Sequence, residues 1–291
     1  MVAPWGLFLV PLTLLLLLSR PRRFVEWWWL ALGLLWTAAW WTAPGSLSDQ
    51  AVKAWGALLA GSFLFLAVGR RRPAGEAALS AAVVSGAVFA VLLRATGLDF
   101  RALELATARD LWASYRDLIA AAASQDTAAS ATLVGFLSTV ADTAGQMAQL
   151  APAMLFLVGA LGLGLAWRWY HRIAAEPVGA PMAPFEAFRF SDHLVWLMVA
   201  GLALALAQAT GLLPTDGVAA NLLVALGGLY VARGLAVIWP GVRRLTWPGR
   251  ILALVAVVLL SVFVVTGLFG LGLADTWIDF RRRRLARAQG G

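Results

Sequence analysis

The chain has 291 residues, 61% of them hydrophobic and 13% charged, with a formal net charge of +8; soluble domains run near 45–50% apolar and about 25% charged, so this is the composition of a multi-spanning membrane protein. It has no cysteine and two histidines, His171 and His193. That excludes disulfides, thiol catalysis and iron–sulfur ligation, and leaves too few ligands for an ordinary zinc site. Lys53 is the one lysine among 23 basic residues; in such a chain a basic excess reflects loops held on the cytoplasmic side, so nucleic acid is not an expected partner.

About eight apolar blocks, each near bilayer thickness, follow one another, and hydrocarbon lets them cross only as helices. The first, over residues 1–18, is short, Leu-rich and carries Pro11. With no basic stretch before it and no small-residue cleavage site, it reads as a retained helix rather than a cleaved signal peptide. Residues 24–43 form the second, with Trp27, Trp28 and Trp29 at one end and Trp40 and Trp41 at the other, the pattern of interfacial belts. Blocks at 51–68 and 77–93 come next, closed by Arg70, Arg71, Arg72 and by Arg94. Glu26 and Lys53, near block ends, read as interface anchors.

Residues 95–150 are polar enough to leave the membrane. Phe100, Leu103, Leu111, Tyr115, Leu118 and Ala122 recur at three- and four-residue steps, and Leu133, Phe136, Leu137, Val140 and Met147 repeat the pattern. The spacing predicts two amphipathic helices, either a hairpin on the outer surface or a cap on the bundle. The remaining blocks are 151–170, 194–213, 218–239 and 251–273. Pro177, Pro181 and Pro184 make the stretch between the fifth and sixth extended and irregular, with Phe185, Phe188 and Phe190 placed for the interface. Pro214-Thr215-Asp216-Gly217 is a tight-turn sequence that joins the sixth and seventh as an antiparallel pair. The last block has no charge.

The ends of blocks one, three, five and seven carry Arg20/22/23, Arg70/71/72, Arg168/172 and Arg243/244/250. If every block crosses, these clusters share one side, the cytoplasm, and the N-terminus lies outside. The tail over 275–291, with Arg281, Arg282, Arg283, Arg284 and Arg287, then falls outside against the rule. Either the count is seven or nine, or one block is re-entrant, or the tail is an exception. The short first block is the first candidate for an incomplete crossing, yet removing it alone leaves the sides of the other clusters unchanged.

Arg233 is the sharpest polar signal, about 9 Å of helix rise inside the seventh block. Such a residue either snorkels or pairs structurally, or else binds an anion in a wet cavity. Tyr230 shares its face. Gln208 and Asn221 sit near the outer ends of the sixth and seventh helices, placed to hydrogen-bond across the pair or to line a polar solute site. Pairs of small residues four apart, among them Gly56/Ala60, Gly162/Ala166 and Gly201/Ala205, permit close helix packing. At the C-terminal end, Asp275 is read as the cap of a short helix. Trp277 and Phe280 would dip into the interface, and Asp279 is spaced for an ion pair with Arg283. The arginine run suits anionic lipid. Asp192-His193 reads as a helix cap rather than a catalytic dyad. No nucleophile elbow, P-loop, HExxH or dinucleotide glycine motif occurs, so no catalytic residue, metal site or cofactor is expected.

Three segments carry a family resemblance: Phe188-Arg189-Phe190 with Trp196, the stretch Leu229-Tyr230-Val231-Ala232-Arg233-Gly234-Leu235-Ala236, and the closing Gly270-Leu271-Gly272-Leu273-Ala274-Asp275-Thr276-Trp277-Ile278-Asp279-Phe280-Arg281-Arg282. On these the chain resembles the YybS-like family of uncharacterised bacterial integral membrane proteins. That family implies no activity, so the resemblance marks Asp275, Trp277, Asp279 and Arg281 as motif positions without a chemical role. It is distantly similar to the substrate-binding subunits of energy-coupling-factor transporters and to the rod-shape protein MreD. The Leu-rich first block lacks the small-xxx-small face usual in those transporter subunits.

The expected fold is an all-α polytopic bundle of about eight transmembrane helices with an external amphipathic insertion, in the bacterial cytoplasmic membrane. The first expected function is a transporter-like protein that binds a small solute or lipid through Arg233, Tyr230, Gln208 and Asn221. The alternative is a non-catalytic scaffold that recruits a membrane or cytoplasmic protein partner through the insertion or the arginine tail.

Overall fold

Each apolar block is helical, as it must be where the backbone can find no partner outside itself. A computed structural model describes residues 5–98, 100–124, 128–213 and 217–280, and these contain no strand. The protein is therefore a polytopic helical membrane protein. It divides into two compact units, one ending at Met182 and the other beginning at Ala183.

In the first unit α1 (Trp5–Ser19), α2 (Phe24–Thr42), α3 (Leu47–Leu64), α4 (Ala74–Ala95) and α7 (Ala151–Ile173) pack together, with α5 (Phe100–Ala123) and α6 (Ala128–Met147) as a helical hairpin between α4 and α7. The short first helix is central, not marginal: Leu12, Leu15 and Leu16 are buried against the other helices. It ends at Arg20, whose left-handed φ of 54° turns the chain toward α2. A π-helical turn, Phe65–Gly69, extends α3, and a 3₁₀ turn, Ala148–Leu150, links α6 to α7. Ser130–Ile173 is a single apolar run of 44 residues. That length would rise about 66 Å, twice the hydrocarbon core, so only part of it can cross.

Polar side chains of this unit close backbone ends. The buried Glu26 carboxylate accepts N–H groups from Arg22, Arg23 and Ala175, tying the start of α2 to the segment after α7. Arg22 adds an ion pair to Glu176. Lys53 Nζ donates to the Ala43 carbonyl at 2.7 Å, satisfying an orphan acceptor at the end of α2. Both residues were expected as interface anchors, and both are buried. Ser46 caps α3 by accepting from the Asp49 N–H and donates to Asp110 of α5 at 2.6 Å. The segment after α7 is irregular, as its prolines require. It is strapped to that helix by the Trp167 indole donating to the Ala180 carbonyl at 3.1 Å and the Val178 N–H donating to the Tyr170 hydroxyl at 2.8 Å.

The second unit contains α8 (Leu194–Ala209), α9 (Val218–Arg244), α10 (Trp247–Leu259) and α11 (Ser261–Ile278). Two expectations fail here. The seventh block does not stop at Trp239; α9 runs through Pro240 to Arg244. The charge-free block over 251–273 is not one helix, because Leu260, at φ −112° and ψ 29°, separates α10 from α11. The reason lies in packing. A Cβ on Gly234 would strike the Leu268 carbonyl oxygen and one on Gly272 the Tyr230 carbonyl oxygen, so α11 follows the backbone of α9 closely. No residue of α10 is buried, and nothing imposes the same axis on it. Residues 214–216 of the expected turn lie outside the described residues, and Gly217 has the φ of 74° that a turn exit favours.

Among the described residues, five segments are long and apolar enough to cross a bilayer: Leu47–Gly69, Ala74–Ala95, Ser130–Ile173, Val218–Arg244 and Ser261–Ile278. Trp5–Ser19, Leu194–Ala209 and Trp247–Leu259 are shorter apolar helices. Gly272→Ala is expected to cost about 1–3 kcal/mol through overpacking. Gly61→Ala, where a Cβ within the helix meets open space, should keep stability or raise it by up to about 1 kcal/mol. Thermal unfolding of the two variants in detergent checks this.

Candidate functional site

The polar centre of the second unit forms where α9 and α11 touch. Arg233 and Asp275 each have a side chain with no exposed surface, and Arg233 Nε donates to Asp275 Oδ2 at 3.0 Å. Arg233 Nη2 donates to the Asp275 carbonyl at 3.2 Å, and Nη1 to Asp192 Oδ1 at 2.7 Å. The guanidinium also lies over the Phe190 ring, 5.3 Å from its centroid. Asp275 Oδ1 accepts the Phe280 N–H at 3.2 Å. One cation thus meets two carboxylates, a backbone carbonyl and an aromatic face, which is the satisfaction a buried ion requires.

The network corrects several expectations. Asp275 does not cap a helix; it stands in the last turn of α11 and takes the arginine. Asp192 carries Arg233 rather than capping α8, whose N-cap residue His193 makes no side-chain cap bond. Asp279 pairs with Arg189 at 3.1 Å. Arg283, its expected partner, and Arg281 of the motif lie outside the described residues, as does the rest of the arginine run. Trp277 is largely exposed, consistent with an interfacial ring. Phe185 and Phe190 turn onto α9, against Trp239 at 5.6 Å and Tyr230 at 5.2 Å.

Of the four candidate ligand contacts, the fold brings two together. Tyr230 is fully buried one turn from Arg233. Its hydroxyl lies beside Thr276, and neither oxygen makes a hydrogen bond of good geometry among the described residues. Asn221 sits twelve residues, or about 18 Å, from Arg233 and donates back to the Gly217 carbonyl at 3.0 Å. Gln208 is half-buried in the last turn of α8. Two recesses of about 270 and 220 Å³ lie in the first unit. The larger is lined by Phe136, Thr139, Val140, Thr143 and Met147 of α6, and Arg233 borders neither. No group of three or more His, Cys, Asp or Glu side chains is placed for a metal among the described residues.

Asp192 and Asp275 are the functional groups that periodicity did not reveal. A usable signal existed, since an arginine inside a crossing needs an acid, and both aspartates lie just beyond block ends. Removing either member of the buried pair should be severe: Arg233→Met or Asp275→Leu alone is expected to cost about 3–5 kcal/mol, and the double replacement to recover most of it. Asp192→Asn should cost no more than about 1 kcal/mol, because the Asp192 side chain is 55% exposed. Unfolding of the four variants in detergent measures the cycle.

No curated protein and no solved structure matches the chain. A family model described as a predicted membrane protein matches residues 3–276. The chain therefore belongs to that family, DUF2232.

Proposed function

We propose that the protein is a non-catalytic scaffold of the bacterial cytoplasmic membrane, and that α6 recruits an apolar helix of a second membrane protein. The observation that carries this reading is the outward face of α6. Leu133, Phe136 and Met147 are about half to two-thirds exposed there, and Phe136 and Met147 border the 270 Å³ recess with Val140. The exposed hydroxyls on the same face bond back to carbonyls of their own helix, with Thr139 donating to the Gly135 carbonyl at 2.9 Å and Thr143 to that of Thr139 at 2.8 Å. Such a face offers shape and apolar surface, with both threonine hydroxyls already engaged, which suits a helix laid into a groove. Asp142 is the one charged residue of α6, so a charged partner gains nothing there. The buried arginine, by contrast, has its nitrogens engaged by the protein itself.

A photo-crosslinking side chain at position 136 should give one discrete protein adduct in native membranes, and Met147→Glu should abolish it. The same probe at the exposed Ala131, off the stripe, should give none. Equal labelling at both positions, or adducts with lipid alone, contradicts the scaffold reading.

A transporter-like reading, in keeping with the distant likeness to transporter subunits, draws on the exposure of Asp192. A small anionic solute that replaced its carboxylate would meet Arg233 Nη1 from water. On that reading Asp192→Ala should raise the melting temperature in millimolar inorganic phosphate more than it does for the unsubstituted protein. No difference between them contradicts it.

A further inference from the structure

Helix α5 has two unlike faces. Leu103, Leu111, Tyr115 and Ala122 are buried or half-buried, and Asp110 is held by Ser46 and Ser48 at the start of α3. The opposite face carries Arg101, Leu105, Arg109, Trp112 and Arg116, spaced by four, four, three and four residues and all exposed. This spacing keeps the five side chains in one stripe about 22 Å long. Leu105 is 56% and Trp112 40% exposed. Arg101 and Arg109 make no ion pair among the described residues, and Arg116 meets its neighbour Asp117 only at 3.7 Å in open solvent. Glu104 and Asp117, the acids of this helix beside Asp110, stand roughly 100° to either side of the stripe.

We infer that this stripe seats α5 on the anionic headgroups of the bilayer that the protein occupies. Three exposed guanidinium groups, of which Arg116 makes only a loose solvent-exposed contact with Asp117, match phosphodiester oxygens, which Arg engages with two parallel hydrogen bonds. Between them an indole and a leucine supply the amphipathic contacts that favour the headgroup level. Placement agrees: α5 is anchored where α3 begins, at the end of α2 where Trp41 is exposed. An acidic protein would match the charge but leaves the interleaved Trp112 and Leu105 without a reason. This inference is independent of the scaffold reading, which rests on α6.

The chain has no cysteine, so Ala113→Cys carries a nitroxide without background. In nanodiscs of pure phosphatidylcholine the label should be open to a water-soluble nickel chelate. In discs containing equal phosphatidylglycerol, its accessibility should fall several-fold. Each arginine removed should weaken seating roughly fivefold, so the triple variant Arg101→Gln, Arg109→Gln, Arg116→Gln should stay open in both lipids. The corresponding triple lysine variant should retain the fall. A second label, Ala131→Cys on α6, with an unchanged spectrum shows that the hairpin remains folded. Equal accessibility in the two lipids, unsubstituted behaviour in the glutamine variant, or protection seen only when membrane proteins are added would each overturn the inference. Crosslinking from position 136 is read separately and does not depend on the result.

Discussion

The pairing of Arg233 with Asp275 governs the second unit. An arginine so placed cannot stay bare in a low-dielectric surround, and its acid partner lies on another helix, so α9 and α11 must meet at one register. Gly234 and Gly272 make that meeting possible, since their missing side chains let each backbone touch the other. The charge fixes the register and the glycines set the separation. Neither is sufficient alone: two glycines permit sliding, and an ion pair tolerates a wider gap. Asp192 completes the network from its wetter side. The cation therefore spans a boundary, dry at Asp275 and accessible at Asp192.

The first unit uses buried polar groups differently. Among the described residues Glu26 and Lys53 bind no side chain of opposite charge; they meet backbone N–H and C=O groups at helix ends. Turns that border hydrocarbon leave such groups unsatisfied, and an ionised side chain satisfies them strongly. Asp110 does similar work through Ser46 and Ser48, and so joins the hairpin to the start of α3. What remains exposed on that hairpin is sorted by chemistry. Arginines interleaved with Leu105 and Trp112 occupy α5, and the apolar stripe of Leu133, Phe136 and Met147 occupies α6. The hairpin thus carries two exposed surfaces of different character.

Helix class and most helix positions were legible in the sequence, because apolar length and terminal arginines are local signals. The hairpin was legible for the same reason, through three- and four-residue spacing. Its outward stripe was not, since Leu105 and Trp112 fall among charges and look like interruptions of the inner face. The break at Leu260 was hidden as well. Nothing in a charge-free run marks it, and it arises because α11 is bound to α9 while α10 is not. Arg233 was visible as an anomaly, yet its partners sit 41 and 42 residues away. Long-range pairing of single charges leaves no periodic trace. Asp275 and Asp192 were accordingly assigned local capping roles that the tertiary fold overrides.

The claim that Arg233 is a closed structural clasp is tested most directly by hydrogen exchange at its guanidinium, read by solid-state NMR on protein reconstituted in lipid. The Nε and Nη2 protons, which face Asp275, should survive long after the exposed arginines have exchanged, and Nη1 should exchange sooner from the side of Asp192. Uniform rapid exchange at all three nitrogens would mean that the arginine stands in water, and the clasp would not exist.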